Sequence, residues 1–470
     1  MRSPVPQMER AMSALSERKI EIVRTLVETA PDRIVGSLQL ALAQSGDDTV
    51  LADVRLLVEA EARDRALRNA VFAPVTPLCV GDGSDRHSLV FPARALALIW
   101  RGLKREAADD IAAAAAIIEA AAATVADERQ PADPSLVFDA LVRVAAVALR
   151  ASQARDFRTA AELCDAARPG GAAALASCLD ISPVVRHAIG RLPDWIGHVD
   201  DETAAAARLA YKDAVAIAED AGPRFFEMLA AQLTPPWMVL RIISAIMDKP
   251  TERYLAQSEL GAFPERVMSD IDAALTAIAT LDPDAGPAAA TLVATRVGVV
   301  TAQTYELEGG IELTRDQGWG QRIVDQKKAL ANVVEGRLKD AEAYATAALP
   351  TEVAGLARLR KKSPKLDIAP DPKAVTRAMT LLAFSETART FANYGGFSAA
   401  HTRLGDKLGG MIDHYVEEVL DLARTGDVPE RGITDAYLAI AADFAGLVRD
   451  EKTAELIRRR AAVCHGDDPA

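Results

Sequence analysis

The sequence predicts an all-α fold of stacked helical hairpins, arranged as an irregular solenoid or as several helical bundles. Alanine makes up roughly a fifth of the 470 residues, whereas Phe, Trp and Tyr together make up only 5%. Alanine has the highest helix propensity and lets neighbouring helices approach closely. Apolar residues also recur at helical spacing along almost the whole chain, between breaks that contain proline or glycine.

The first hundred residues contain three predicted helices and a polar loop. The first helix runs to Ala30 and ends at Pro31, the second ends near Gln44, and a long amphipathic helix covers 47–72. The loop "CVGDGSDRH" at 79–87 follows. Its spacing matches neither a calcium loop nor a phosphate-binding loop, because no glutamate closes it and no lysine follows its glycines. We therefore expect a plain connection between helices.

Further breaks between helices are predicted where proline is combined with glycine or acidic residues. They lie at 127–134, 168–171, 233–237 and 281–287. The segment 305–313, "YELEGGIEL", alternates apolar and polar residues around a Gly-Gly pair, which is typical of a short β-hairpin. A loop between two helices is the alternative interpretation of this segment.

The segment 355–372, "GLARLRKKSPKLDIAPDP", combines a basic run with three prolines. No helix continues through prolines so closely spaced, so we predict a linker. The expected parts are therefore an N-terminal helical unit at 1–130, a central helical-hairpin unit at 131–354, this linker, and a C-terminal helical unit at 373–470. The linker is either a solvated hinge or a binding site for an acidic partner or an anionic surface. Its candidate binding residues are Arg358, Arg360, Lys361, Lys362 and Lys365.

Three segments place one large and three small side chains on a stripe with relative positions 0, 3, 7 and 10. They are Phe157, Ala160, Cys164, Ala167; Tyr211, Ala214, Ala218, Ala221; and Leu338, Ala341, Ala345, Ala348. The pattern resembles the second helix of tetratricopeptide-type repeats, and in 336–350 it extends to Gly336 before the expected turn and Pro350 after the helix. The regular 34-residue spacing of such repeats is absent. Ordinary helical hairpins with alanine seams are the alternative, and both interpretations imply an α-helical stack.

Charge and cysteine usage restrict the class of protein. The formal net charge is −13, which disfavours a nucleic-acid partner, since such binding depends on neutralised phosphates. Four widely spaced cysteines without a C-x-x-C pair are typical of a reducing compartment. The N-terminus has no apolar signal core, and the apolar stretch 111–126 is too short to span a bilayer. We therefore expect a cytoplasmic protein without a membrane span.

His187 and His198 are the candidates for metal binding, because Asp194 and Asp200 lie near them in the sequence. The helical ligand pairs H-E-x-x-H and E-x-x-H are missing, however. Helix capping and surface charge explain these residues as well. We therefore expect no metal ion and no cofactor.

The sequence contains no serine nucleophile elbow, P-loop or dinucleotide fingerprint. It favours a non-catalytic cytoplasmic scaffold or adaptor that binds a protein partner through grooves between helices. An all-helical enzyme or small-molecule-binding protein, with a site assembled from dispersed acids and histidines, is the second hypothesis. A nucleic-acid-associated regulator is the third, and the net charge disfavours it. The sequence leaves the partner's identity and the oligomeric state open.

Overall fold

The protein is described by a computed structural model. It describes residues 17–44, 49–80, 89–124, 133–197, 199–218, 220–354, 361–426, 428 and 430–464. Of these residues 82% are helical, which confirms the predicted all-α fold class. The chain divides into two compact units, residues 1–246 and 247–470.

The first unit is a stack of helices with one pair of short parallel strands. Its elements are α1 (Glu17–Thr29), α2 (Asp32–Gln44), α3 (Thr49–Val71), β1 (Cys79–Val80), β2 (Phe91–Pro92), α4 (Ala93–Glu106), α5 (Ala108–Thr124), α6 (Ser135–Ala151), α7 (Arg155–Ala167), α8 (Gly171–Ile189), α9 (Leu192–Ile196), α10 (Asp201–Ile217), α11 (Ala221–Gln232) and α12 (Val239–Met247). The last residue of α12 begins the second unit.

The second unit is also helical, with one antiparallel pair of strands. Its elements are α13 (Glu252–Ala256), α14 (Ala262–Ala279), α15 (Pro287–Gly310), α16 (Gly318–Ala348), β3 (Thr351–Ala354), β4 (Lys361–Pro364), α17 (Pro372–Ala388), α18 (Ser398–Thr425), α19 (Arg431–Val448) and α20 (Glu451–Cys464). Short 3-10 helices lie at Thr76–Leu78, Pro236–Met238, Glu259–Gly261, Pro283–Ala285 and Arg389–Phe391. The predicted breaks at Pro31, 168–171, 233–237 and 281–287 are confirmed.

Helix α8 lies at the centre of the first unit, where it contacts α6, α7, α10 and α11. A helix that is apolar on most of its surface is stable only when it is buried. Among the described helices, α8 alone has the length and composition to cross a membrane, and 61% of that stretch is buried inside the protein. Its packing within the unit accounts for its apolar composition.

Arginine side chains cap the C-terminal ends of several helices in the first unit. The last carbonyls of a helix have no partner within it and carry partial negative charge. Here a guanidinium from another helix donates to them. The pairs are Arg65 with Val27, Glu28 and Ala30 at the end of α1, Arg55 with Leu42 in α2, Arg186 with Ala70 and Val71 in α3, Arg241 with Ile196 in α9, and Arg208 with Ala245 and Ile246 in α12. These bonds hold neighbouring helices in a defined arrangement.

The three repeat-like segments differ in the structure. In α7 the first three stripe residues are buried, and in α16 all four are buried. The segment 211–221 is not one helix, because α10 ends at Ile217 and α11 begins at Ala221. A continuous helix would place the ring of Pro223 against the carbonyl of residue 219. In α16 no turn precedes Gly336, which lies inside an unbroken helix of 31 residues.

The predicted β-hairpin at 305–313 is not formed. Helix α15 continues through this segment to Gly310, and Ile311 is its C-terminal cap. Glu306 and Leu307 are buried together with Gly310, so tertiary packing overrides the local alternation and the Gly-Gly signal. An isolated bridge between Thr251 and Glu312 follows the helix end.

The predicted linker at 355–372 lies inside the second unit. Its residues 361–364 form β4, which pairs with β3, and the amide of Lys365 donates to the carbonyl of Pro350 at 3.0 Å. Beyond it, α17 packs against α15 and α16, so the chain before and after this segment belongs to one compact unit. The contacts divide the chain after residue 246, and not at the predicted positions 130 and 355–372, because helices distant in the sequence pack together.

Cleavage of the native protein by trypsin after Arg358 or Arg360 is expected to leave both fragments associated. The packing of α17 against α15 and α16 does not depend on the covalent connection, and Arg377 also donates two hydrogen bonds to Asp284, at 2.7 and 2.8 Å. Size-exclusion chromatography of the cleaved protein should give one peak at the size of the intact chain. Release of a separate, folded C-terminal fragment would contradict this packing.

Candidate functional site

A groove of about 440 Å³ lies on the first unit, between α6 and the start of α7, beside the end of α4. Apolar side chains form most of its surface. They are Val144, Val147, Ala148, Ala151, Ala154 and Phe157, and the polar lining residues are Glu106, Arg143 and Gln153. A concave, mainly apolar surface with a few polar groups is typical of a binding site.

Phe157 lies at the floor of the groove and is completely buried. Its ring packs against the backbone of Gly102 in α4, where a β-carbon would lie only 2.6 Å from the ring. Gly102 therefore lets α7 approach α4 closely.

The outer face of α6 extends the apolar surface beyond the groove. Val147 is 65% exposed, and Leu136, on the same helix, is 80% exposed. Ala140, Val144 and Ala151 continue this face at helical spacing over about 22 Å. The opposite face of α6 packs into the core. A helix that is apolar on its exposed side as well indicates a surface for another protein.

The exposed charges of α6 and the start of α7 have one sign. Between residues 135 and 161 the exposed charged side chains are Arg143, Arg150, Arg155 and Arg158. The two carboxylates in this range, Asp139 and Asp156, are buried. Asp139 pairs with Arg186 at 3.3 Å, and Asp156 pairs with Arg105 of α4 at 2.6 Å. The part of the rim formed by α6 and the first turn of α7 is therefore cationic, whereas Glu106 at the end of α4 and Glu162 and Asp165 further along α7 are exposed carboxylates.

Two of the four arginines are available for a ligand. Arg150 forms an ion pair with Asp180, and Arg158 donates to backbone carbonyls between α6 and α7. For Arg143 and Arg155 the structure shows no ion pair within the part of the chain that it describes. Arg143 lines the groove itself, and Glu106 is the one carboxylate among the lining residues.

The predicted basic cluster is placed only in part. Arg358, Arg360 and the side chain of Lys361 lie outside the described residues. Lys362 is exposed on β4, and Lys365 is half-buried beside the strand pair. The described residues of this cluster therefore belong to a hydrogen-bonded strand and its end, and not to an extended solvated hinge.

The predicted metal candidates are not brought together in the described residues. His198 lies outside them, and His187 is exposed in the last turn of α8. Within the described ranges, no group of three or more His, Cys, Asp or Glu is arranged to hold a metal ion. Asp200 instead caps α10, where its Oδ1 accepts a hydrogen bond from the amide of Thr203 at 2.8 Å.

Three of the four cysteines lie in the first unit and have raised pKa values; Cys164 and Cys178 are buried, and Cys79 is half-buried. Burial raises the pKa of Cys164 to about 11 and that of Cys178 to about 12. Burial and the neighbouring Cys164 and Cys178 also raise the pKa of Cys79 well above its ordinary value. The folded state thus keeps these thiols protonated. Their contribution to stability is complete below an unfolded-state pKa of about 8.5 and is lost as the pH rises through the folded-state values.

Labelling with a thiol reagent at pH 8 is expected to modify Cys464 first. The thiolate is the reactive form, and a thiol with a pKa of about 11 is ionised in roughly one molecule in a thousand at that pH. Cys464 is half-buried at the end of α20. Peptide mass analysis should find Cys164 and Cys178 modified only after unfolding, and Cys464→Ser should remove the fast reaction. Equal rates at all four thiols would contradict the burial.

Comparison with known proteins provides no relative from which a function could be transferred. No family model, no curated protein and no solved structure matches the chain.

Proposed function

We propose that the protein is a non-catalytic adaptor that binds a helical segment of a partner protein in the groove between α6 and α7. One observation carries the proposal: the apolar floor of the groove continues into an exposed apolar face of α6. Val147 and Leu136, both largely exposed, lie on that face. A helix binds such a surface by inserting side chains at positions i, i+4 and i+7.

The dimensions of the surface support a helical occupant. The face from Leu136 to Ala151 has the length of a 16-residue helix, about 22 Å. Its alanines, Ala140, Ala148 and Ala151, leave room for close contact between helices, as small residues do at other helix interfaces. The four free cysteines fit a reducing compartment, which supports a cytoplasmic location as part of the same proposal.

Selection from a displayed peptide library tests the proposal without a known partner. The library contains 16-residue amphipathic helices. Each has an apolar stripe, and all positions outside the stripe are Glu, Lys, Gln or Ala. The full-length protein should enrich helices that bind the groove. Val147→Glu should then weaken the binding of the enriched peptides by about 100-fold, because it places a charge in the desolvated centre of the interface.

A variant of the second unit provides the matched control. Leu292 of α15 is 71% exposed, close to the exposure of Val147, and lies outside the groove. Leu292→Glu should leave peptide affinity unchanged, and circular dichroism should show that both variants are folded. If the selection enriches no peptide whose binding depends on Val147, the groove does not bind helices and the proposed function is wrong.

A further inference from the structure

We infer that the helix bound in this groove is acidic, and that Arg143 and Arg155 select it by its charge. This inference rests on the proposed function and adds the chemistry of the partner. The observation that carries it is the sign of the rim: from residue 135 to 161, each exposed charged side chain is an arginine. This occurs in a chain whose formal net charge is −13.

The exposed charges between residues 135 and 161 are all positive because the two carboxylates in this range are buried. Asp139 and Asp156 lie on the inner sides of α6 and α7, where Arg186 and Arg105 neutralise them. The arginines that point outward have no such compensation from their own segment. Arg143 and Arg155 in particular carry no ion pair within the described residues. A carboxylate of a ligand would therefore find donors that form bidentate hydrogen bonds and need not displace an internal partner.

Arg143 lies close enough to the apolar contact at Val147 to interact with charged residues of a bound helix. It lines the groove and lies four residues, one helical turn, before Val147 on α6. A helix that inserts an apolar residue beside Val147 thus has neighbouring positions one turn away within reach of Arg143. Arg155 begins α7, on the other side of the α6–α7 connection. One acidic residue near the middle of the bound helix would meet Arg143, and one near its end would meet Arg155.

The apolar floor distinguishes this partner from a nucleic acid. Phosphates require cationic groups but gain nothing from the aliphatic surface of Val144, Val147 and Ala151. Stacking of bases would require exposed aromatic rings, and Phe157 is completely buried. An amphipathic acidic helix uses both the apolar floor and the arginine rim.

The charge of the selected peptides is the first test. Although the library has no bias in charge, the sequences that depend on Val147 should have a net charge of about −3 or lower, since each arginine favours a carboxylate. The best peptide is then compared with its charge-inverted twin, in which Glu and Lys are exchanged at every polar position. The twin should bind at least about tenfold more weakly in low salt, and the difference should shrink in high salt, which screens exposed charges.

The double variant Arg143→Glu/Arg155→Glu should reverse this preference, so that the twin binds better than the original peptide. Arg296→Glu on α15 is the matched control, because Arg296 is exposed and lies outside the groove. It should leave the preference unchanged. Circular dichroism should show both variants folded, since the substituted arginines form no described ion pair.

Several outcomes would overturn the inference. Peptides that depend on Val147 but are neutral or basic would show a helix-binding groove without charge selection, and the proposed function would survive alone. A labelled 20-nucleotide RNA that binds better than the peptides and is released by the double variant would assign the rim to nucleic acid. A dimer of the chain that dissociates on Val147→Glu, and competes with the peptides, would assign the groove to a second copy.

Discussion

Replacement of Arg186 by methionine is expected to destabilise the first unit by about 3 to 5 kcal/mol, the usual cost of leaving a buried charge without its partner. Arg186 donates to the carbonyls of Ala70 and Val71 at 2.9 and 2.6 Å, and so closes the end of α3. It also pairs with the buried carboxylate of Asp139 on α6. Burial lowers the pKa of Arg186, although the hydrogen bond that Arg186 donates to Asp139 opposes that shift.

Methionine keeps much of the apolar stem of Arg186 but leaves Asp139 and the two carbonyls without a donor. Its effect should therefore appear as faster amide exchange in α3, α6 and α8, measured by hydrogen–deuterium exchange on peptides of each unit. A single unfolding free energy would be ill-defined in a chain with two compact units, so resolution by peptide is essential. The second unit should exchange at its normal rate.

Arg150→Met is the matched control for Arg186→Met. Arg150 also belongs to the first unit and forms an ion pair, but its side chain is 45% exposed. Exposed ion pairs contribute between about 0 and 1 kcal/mol. A double variant, Arg186→Met with Asp139→Asn, should recover part of the loss, because it removes the unpaired carboxylate. Equal exchange in the two single variants would show that the contacts of Arg186 add nothing to stability.

Proline and glycine explain why the sequence predicted the helix breaks so well. Pro31 and the segments 168–171 and 281–287 act through the backbone of their own residues, so no distant contact changes their effect. The prediction of a β-hairpin at 305–313 was wrong for the opposite reason. Its Gly-Gly pair permits a turn but does not require one, and burial of Leu307 favours helix there.

The groove could not be predicted from the sequence, because it depends on which face of α6 the neighbouring helices cover. Val142 and Val147 have the same side chain and lie on the same helix, yet Val142 is completely buried and Val147 is largely exposed. Only the positions of the neighbouring helices decide between them. One signal was present in the sequence: Leu136 and Val147 lie outside the stripe that forms the inner face of α6, so this helix carries more apolar residues than one face can bury.

The arginine caps were missed for a similar reason. Arg65, Arg186 and Arg208 resemble any other helical arginine in the sequence, and their partners are carbonyls of residues 35 to 116 positions away. Charge patterning predicts pairs three or four residues apart on one helix, and not these contacts. The side of the groove formed by α6 and the start of α7 shows the same effect: Asp139 and Asp156 are buried by tertiary packing, and the arginines of this segment remain exposed.

Two glycine-to-alanine substitutions in the same helix, α16, are expected to have opposite effects. Gly320→Ala should destabilise the second unit by about 3 kcal/mol, because a steric conflict with backbone atoms forces a local shift. A β-carbon at Gly320 would lie 2.2 Å from the carbonyl oxygen of Thr314, a backbone atom. Gly336→Ala should stabilise the unit by about 0.5 to 1 kcal/mol, since alanine has the higher helix propensity. Apart from its chain neighbours and the nearby backbone of α16 itself, nothing lies within 4 Å of a β-carbon at Gly336.

The cost at Gly320 includes the cap of the helix. Glu252 accepts hydrogen bonds from the amides of Thr314, Trp319 and Gly320, at 3.2, 2.5 and 3.4 Å, and so places a carboxylate at the positive end of α16. Moving Thr314 away from a new methyl group would stretch these bonds together. Hydrogen–deuterium exchange should therefore accelerate in the first turns of α16 and around Glu252 in Gly320→Ala, and should slow along α16 in Gly336→Ala. Equal changes in the exchange rates of the two variants would mean that the segment before α16 does not pack on Gly320.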